Sequence, residues 1–133
     1  MNHFNFDKVI FDPEALQKEL WQLKIDGISL IEVPAGLKNR HNVFEFAKNK
    51  IPLDPMLESE KSWDALADSI GGGIEKFRGR GLVMLINANE CEQYQPLEIE
   101  FEFLKILFQI KNEQLPSDMK IYLFCNKIRR PSE

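Results

Sequence analysis

Apolar spacing divides the chain into segments with different periods. Asp12-Pro13-Glu14 offers a cap, a proline suited to the first helical position and an acid, and Leu16, Leu20 and Leu23 follow at helical intervals. The pattern predicts a helix over about 13–24, ending near Asp26-Gly27. Ile28-Ser29-Leu30-Ile31-Glu32-Val33 is short, rich in β-branched residues and closed by Pro34-Ala35-Gly36, which predicts a strand. Asn42 can cap a helix through about Lys50, with Phe44, Ala47 and Ile51 on one side and Pro52 as its stop. Residues 52–61, rich in proline and acids, predict an irregular, exposed connection.

Ser62 opens a further helix in which Trp63, Leu66, Ala67 and Ile70 form an apolar stripe, and Gly71-Gly72-Gly73 reads as its terminator. Leu82 to Asn87 is continuously apolar between Gly81 and Asn89, as expected of a central strand buried on both faces. Leu97, Ile99, Phe101 and Phe103 alternate with Glu98, Glu100 and Glu102, which taken alone signals a strand. Leu104, Ile106, Leu107 and Ile110 instead keep helical spacing, and Pro96 suits a first helical residue, so a helix to about Lys111 is favoured. Lys120 to Cys125 reads as a third strand.

The order from Ile28 onward is strand, helix, helix, strand, helix, strand. It predicts an α/β fold with a three-stranded, mainly parallel sheet packed with helices, plus an extra N-terminal helix. The corresponding division is an N-terminal helical extension over 1–27, an α/β domain over 28–126 and a flexible basic tail over 127–133.

Composition narrows the function classes. A chain of 133 residues suits one domain, and 21 acidic against 17 basic side chains give a net charge of −4, favouring basic partners over phosphate backbones. The first residues lack the pattern of a secretory signal, and no apolar run is long enough to span a membrane, so a cytoplasmic protein is expected. Cys91 and Cys125 lack metal-ligand spacing and read as reduced, buried thiols. His3 and His41 stand apart from any Cys or carboxylate pattern at ligand spacing, so no catalytic residue, cofactor or metal is assigned and no enzyme is expected. The clusters Arg78-Gly79-Arg80-Gly81 and Lys127-Ile128-Arg129-Arg130 are short for an RNA-binding surface, and Trp21 and Trp63 read as core or subunit-contact residues.

The candidate chemistry is acidic. Asp64 and Asp68 are four apart and share a helix face, with Glu60 on the approach. At about 100° per residue their bisector points roughly 130° from the centre of the Trp63 to Ile70 stripe, so the stripe can anchor while the acids stay exposed. Two carboxylates one turn apart repel modestly, and a cationic partner reverses that penalty. The plain reading is that Asp64 complements the helix dipole and Asp68 is merely solvated.

The segment Lys61-Ser62-Trp63-Asp64-Ala65-Leu66-Ala67-Asp68 resembles the signature of the barstar family of ribonuclease inhibitors. In that family a polar and a hydrophobic residue precede Asp-Ala-Leu, and a second Asp lies four after the first. The resemblance covers roughly 28–126. It implies a barstar-like domain acting as an intracellular immunity or antitoxin protein whose partner is a basic nuclease, a ribonuclease. Asp64 and Asp68 would fill that enzyme's anion site, with Glu60, Ser62 and Glu58 as further partner contacts. Residues 56–61 carry neither the aromatic residues nor the glycine usual in that loop. The alternative is an interaction domain without nuclease inhibition that binds another protein, or itself as a homo-oligomer, through the first 27 residues and Trp21.

Overall fold

The structure, a computed structural model, describes residues 4–88, 98–113 and 119–125. Its elements are β1 (Lys8–Ile10), α1 (Pro13–Ile25), β2 (Ser29–Val33), α2 (Arg40–Lys50), α3 (Trp63–Glu75), β3 (Leu82–Ala88), α4 (Glu98–Glu113) and β4 (Met119–Cys125). The fold is α/β, with a four-stranded sheet in the order β1-β4-β3-β2. The β1–β4 and β2–β3 pairs are parallel. The chain divides into two compact units, the first holding the described residues up to Ala35, 80–88 and 120–125, the second Gly36–Gly79, 98–113 and Met119.

In the first unit the expected three strands become four. Lys8 to Ile10 is too short for a period to register, and pairing makes it a strand: Lys8, Val9 and Ile10 oppose Tyr122, Leu123 and Phe124. The Asp7 N–H donates to the carbonyl of Ile121, whose own N–H donates to an Asp7 carboxylate oxygen, each at 2.8 Å. Asp12 caps α1, accepting from the N–H groups of Glu14 and Ala15 at 3.3 Å. Leu16 and Leu23 then pack with Ile10, Val83, Leu85, Tyr122 and Phe124 in one apolar cluster. Each leucine so buried contributes about 1.5–3 kcal/mol. The expected helix over 13–24 is thus present, but the first 27 residues also supply a strand and part of this cluster. Leu82 to Ala88 is the expected central strand, almost wholly buried.

Cys125 is buried and disulfide-bonded, which corrects the expectation of a reduced thiol. Cys91, like His3, Pro96 and the tail 127–133, lies outside the described residues. No described helix is long and apolar enough to cross a membrane.

The second unit holds α2, α3 and α4. Asn39 rather than Asn42 caps α2, its side chain accepting from the Asn42 N–H at 2.8 Å. The core includes Val43, Phe44, Ala47, Leu66, Ile70, Phe103, Leu104 and Leu107, all nearly inaccessible to solvent. Residues 98–103 are helical, so the alternation there does not mark a strand. Phe103 is buried while Glu102 and Glu100 are only half-buried, because a helical turn can place them beside the core rather than opposite it.

The main correction concerns Gly71-Gly72-Gly73, which continue α3 to Glu75 instead of ending it. A Cβ on Gly72 would meet the Asp54 carbonyl oxygen at 1.9 Å, and one on Gly73 the Pro52 carbonyl oxygen at 1.9 Å. The glycines are therefore where the 52–54 backbone crosses the helix, and the Asp54 N–H donates to the Ser69 carbonyl at 2.9 Å there. Residues 52–61 are irregular as expected, but 52–54 are held against α3 instead of being freely exposed. Replacing either glycine by Ala in a solvated helix would stabilise it by about 1 kcal/mol. Gly72→Ala and Gly73→Ala should instead each destabilise the fold by about 1–3 kcal/mol through overpacking, read as a lower midpoint of chemical denaturation. A raised midpoint would contradict the crossing.

Candidate functional site

α3 starts at a defined point because the Ser62 hydroxyl accepts from the Ala65 N–H at 3.1 Å. Ser62, expected as a partner contact, is thereby engaged as the helix cap. Asp64 occupies the first turn, where the helix dipole favours a negative charge. Both Asp64 and Asp68 are exposed, and among the described residues neither has an ion-pair or hydrogen-bond partner.

The buried side chains of α3 are Leu66, Ser69 and Ile70, whereas Trp63 and Ala67 are half-buried. This shifts the anchor from the apolar stripe expected over Trp63, Leu66, Ala67 and Ile70. At about 100° per residue the centre of the buried set lies roughly 170° from the bisector of Asp64 and Asp68. The acids are therefore more squarely opposite the core than the sequence stripe implied. Because α3 runs on through the glycines, exposed Glu75 falls on the same face, three turns from Asp64. Sequence reasoning missed it by ending the helix at Gly71.

The approach to α3 is held from α2. Arg40 donates from Nη1 to the carbonyl oxygens of Lys61 at 3.0 Å and Glu60 at 3.4 Å. Its guanidinium carbon lies 5.4 Å from the centre of the Trp63 ring, which also meets the Phe44 ring at 5.6 Å between centroids. Arg40 thus joins the backbone before α3 to the first side chain within it, a cation–π contact supporting the hydrogen bonds. Trp63 is a packing residue, as expected, whereas Trp21 on α1 is 62% exposed and not part of the core.

Glu60 is not a free acid. It is half-buried, with both carboxylate oxygens 2.9 Å from His41 Nδ1 and one 4.0 Å from Lys48 Nζ. His41 is correspondingly not isolated: with Glu45 on its own helix and Glu60 from the approach, it places one metal-ligand atom per residue within 4.8 Å of the others. The sequence spacing hid this set because Glu60 arrives across a loop. Glu58 is exposed. Asp64, Asp68, Ser62 and Glu60 are therefore brought to one end of α3, with Ser62 and Glu60 already engaged within the protein.

The basic cluster at 78–81 is also partly engaged. Arg78 donates to the carbonyl oxygens of Glu75 and Phe77, and Arg80 donates to the carbonyl of Asp26.

His41 is held above the ordinary imidazole value of about 6.5, first by its hydrogen bond to Glu60 and then by that carboxylate's charge. Its contribution to stability is present below the unfolded-state value and is lost as pH rises through the folded one. An NMR titration of the His41 ring should therefore give a midpoint above 6.5, and Glu60→Gln should lower it; equal midpoints would break the link to Glu60.

Compared with models of protein families, with curated proteins and with solved structures, the chain matches none of them.

Proposed function

We propose that this protein is a non-enzymatic inhibitor of the barstar type, which binds a basic nuclease, a ribonuclease, and blocks its active site with carboxylates of α3. The observation that carries the reading is the exposed pair Asp64 and Asp68, without a partner among the described residues and opposite the buried face of a well-anchored helix. Carboxylates one turn apart can accept charge-assisted hydrogen bonds from Arg and Lys side chains placed to hold phosphate oxygens. Glu75 extends the acidic row, and Glu58 adds exposed charge beside it. The resulting field steers a cationic partner and makes association slower as salt is added. Such an immunity or antitoxin protein would act in the cytoplasm.

Asp64→Ala with Asp68→Ala should change folding stability by less than about 1 kcal/mol, since both side chains are exposed. Capture of a basic ribonuclease should weaken by about 3 kcal/mol or more, because each lost carboxylate strands a cation in the interface. Titration calorimetry beside chemical denaturation separates the two effects. A double variant that still binds and inhibits with unchanged affinity would remove α3 as the inhibitory element.

A second reading has its own observation. Trp21 and Ile25, one turn apart on α1, are 62% and 59% exposed. Exposed large apolar side chains in one place mark interaction surfaces. They support an interaction domain that binds another protein or a second copy through α1. Light scattering of the protein should then give a mass above that of one chain, reduced by Trp21→Ser with Ile25→Ser; a monomer before and after substitution excludes self-association.

A further inference from the structure

We propose that His41, Glu45 and Glu60 form a binding site for a divalent transition-metal ion of the zinc class. His41 and Glu45 are one turn apart on α2 and so project from the same face. Glu60 comes from the irregular segment before α3, and its placement does not depend on His41, because Arg40 holds the Glu60 and Lys61 carbonyl oxygens independently. One donor atom from each of the three residues lies within 4.8 Å of the others. The 2.9 Å between His41 Nδ1 and each Glu60 oxygen is within about 0.4–0.7 Å of the roughly 3.3–3.6 Å that separates neighbouring ligands of a tetrahedral ion at about 2.0–2.2 Å, so the two side chains need only part slightly to admit it. Glu45 needs only a side-chain adjustment, and its exposure leaves it free to make one.

The donor set selects the ion class. One imidazole nitrogen with two carboxylates suits Zn²⁺ and its first-row neighbours, whereas Ca²⁺ and Mg²⁺ favour oxygen alone and Cu(I) favours sulfur. Three protein ligands leave a position for water or for a partner's donor. Neutral His41 must ligate, so the ion takes the place of the proton between Nδ1 and the Glu60 carboxylate, and that proton is released to solvent. Lys48, 4.0 Å from one Glu60 oxygen, offsets part of the negative charge and limits affinity. The site uses neither Asp64 nor Asp68, so it stands or falls apart from the inhibitor reading.

The test is zinc chloride titrated by calorimetry into the full-length, tag-free and metal-stripped chain, with the His41 ring signals followed by NMR. The expected result is one saturable equivalent per chain, with zinc shifting the His41 signals. His41→Ala should abolish that equivalent, and Glu45→Gln and Glu60→Gln should each weaken it by about tenfold or more. His41 and Glu45 are exposed, so at a pH above the His41 midpoint, where its pairing with Glu60 no longer adds stability, their variants should keep the wild-type denaturation midpoint and report on binding alone. No saturable zinc uptake, or uptake unchanged in His41→Ala, would overturn the site. So would calcium binding as tightly as zinc, because the imidazole would then not be selecting the ion.

Discussion

The close crossing of the 52–54 backbone over α3 constrains the whole second unit. Two carbonyl oxygens occupy the space that Cβ atoms of Gly72 and Gly73 would fill. Only a helix lacking side chains at those positions admits a peptide segment so near its axis, and the Asp54 hydrogen bond to the Ser69 carbonyl fixes it there. Glycine within a helix costs about 1 kcal/mol relative to Ala in local propensity. Here that cost is offset by packing, and the crossing fixes where the chain begins its return to the start of α3.

From that fixed point the approach is built in steps. Lys76 pairs with the Asp54 carboxylate, securing the crossing at the C-terminal end of α3. Arg40 holds the carbonyl oxygens of Glu60 and Lys61 at the other end, and Ser62 then caps the helix. The backbone leading into α3 is thus tied at both ends, although it carries no regular secondary structure between Ile51 and Ser62. Leu66, Ser69 and Ile70 bury one face, which leaves Asp64 and Asp68 opposite them in water.

The same arrangement separates two kinds of carboxylate that look alike in sequence. Asp64 and Asp68 have no partner among the described residues and are available to an external cation. Glu60 is engaged by His41 and approached by Lys48, so it has less charge to offer a protein partner. Burial and neighbours make the difference, since a half-buried acid beside a cation is already satisfied.

Much of this was legible in the sequence wherever a signal repeats over several residues. Helical spacing located α1 and α3, cap chemistry located Asp12 and Ser62, and the unbroken apolar run from Leu82 marked the central strand. The exposure of Asp64 and Asp68 also followed from helical period alone. What tertiary structure decided were features that depend on partners distant in the chain. β1 is three residues long and is a strand only because β4 supplies its hydrogen-bonding partners. Three successive glycines look like a terminator until the Pro52 and Asp54 carbonyls explain them as a place of close approach. His41 and Glu60 are nineteen positions apart and meet only because the chain folds back over α3. Local periodicity fixes which way a side chain points from its own element; only long-range packing determines what stands opposite it.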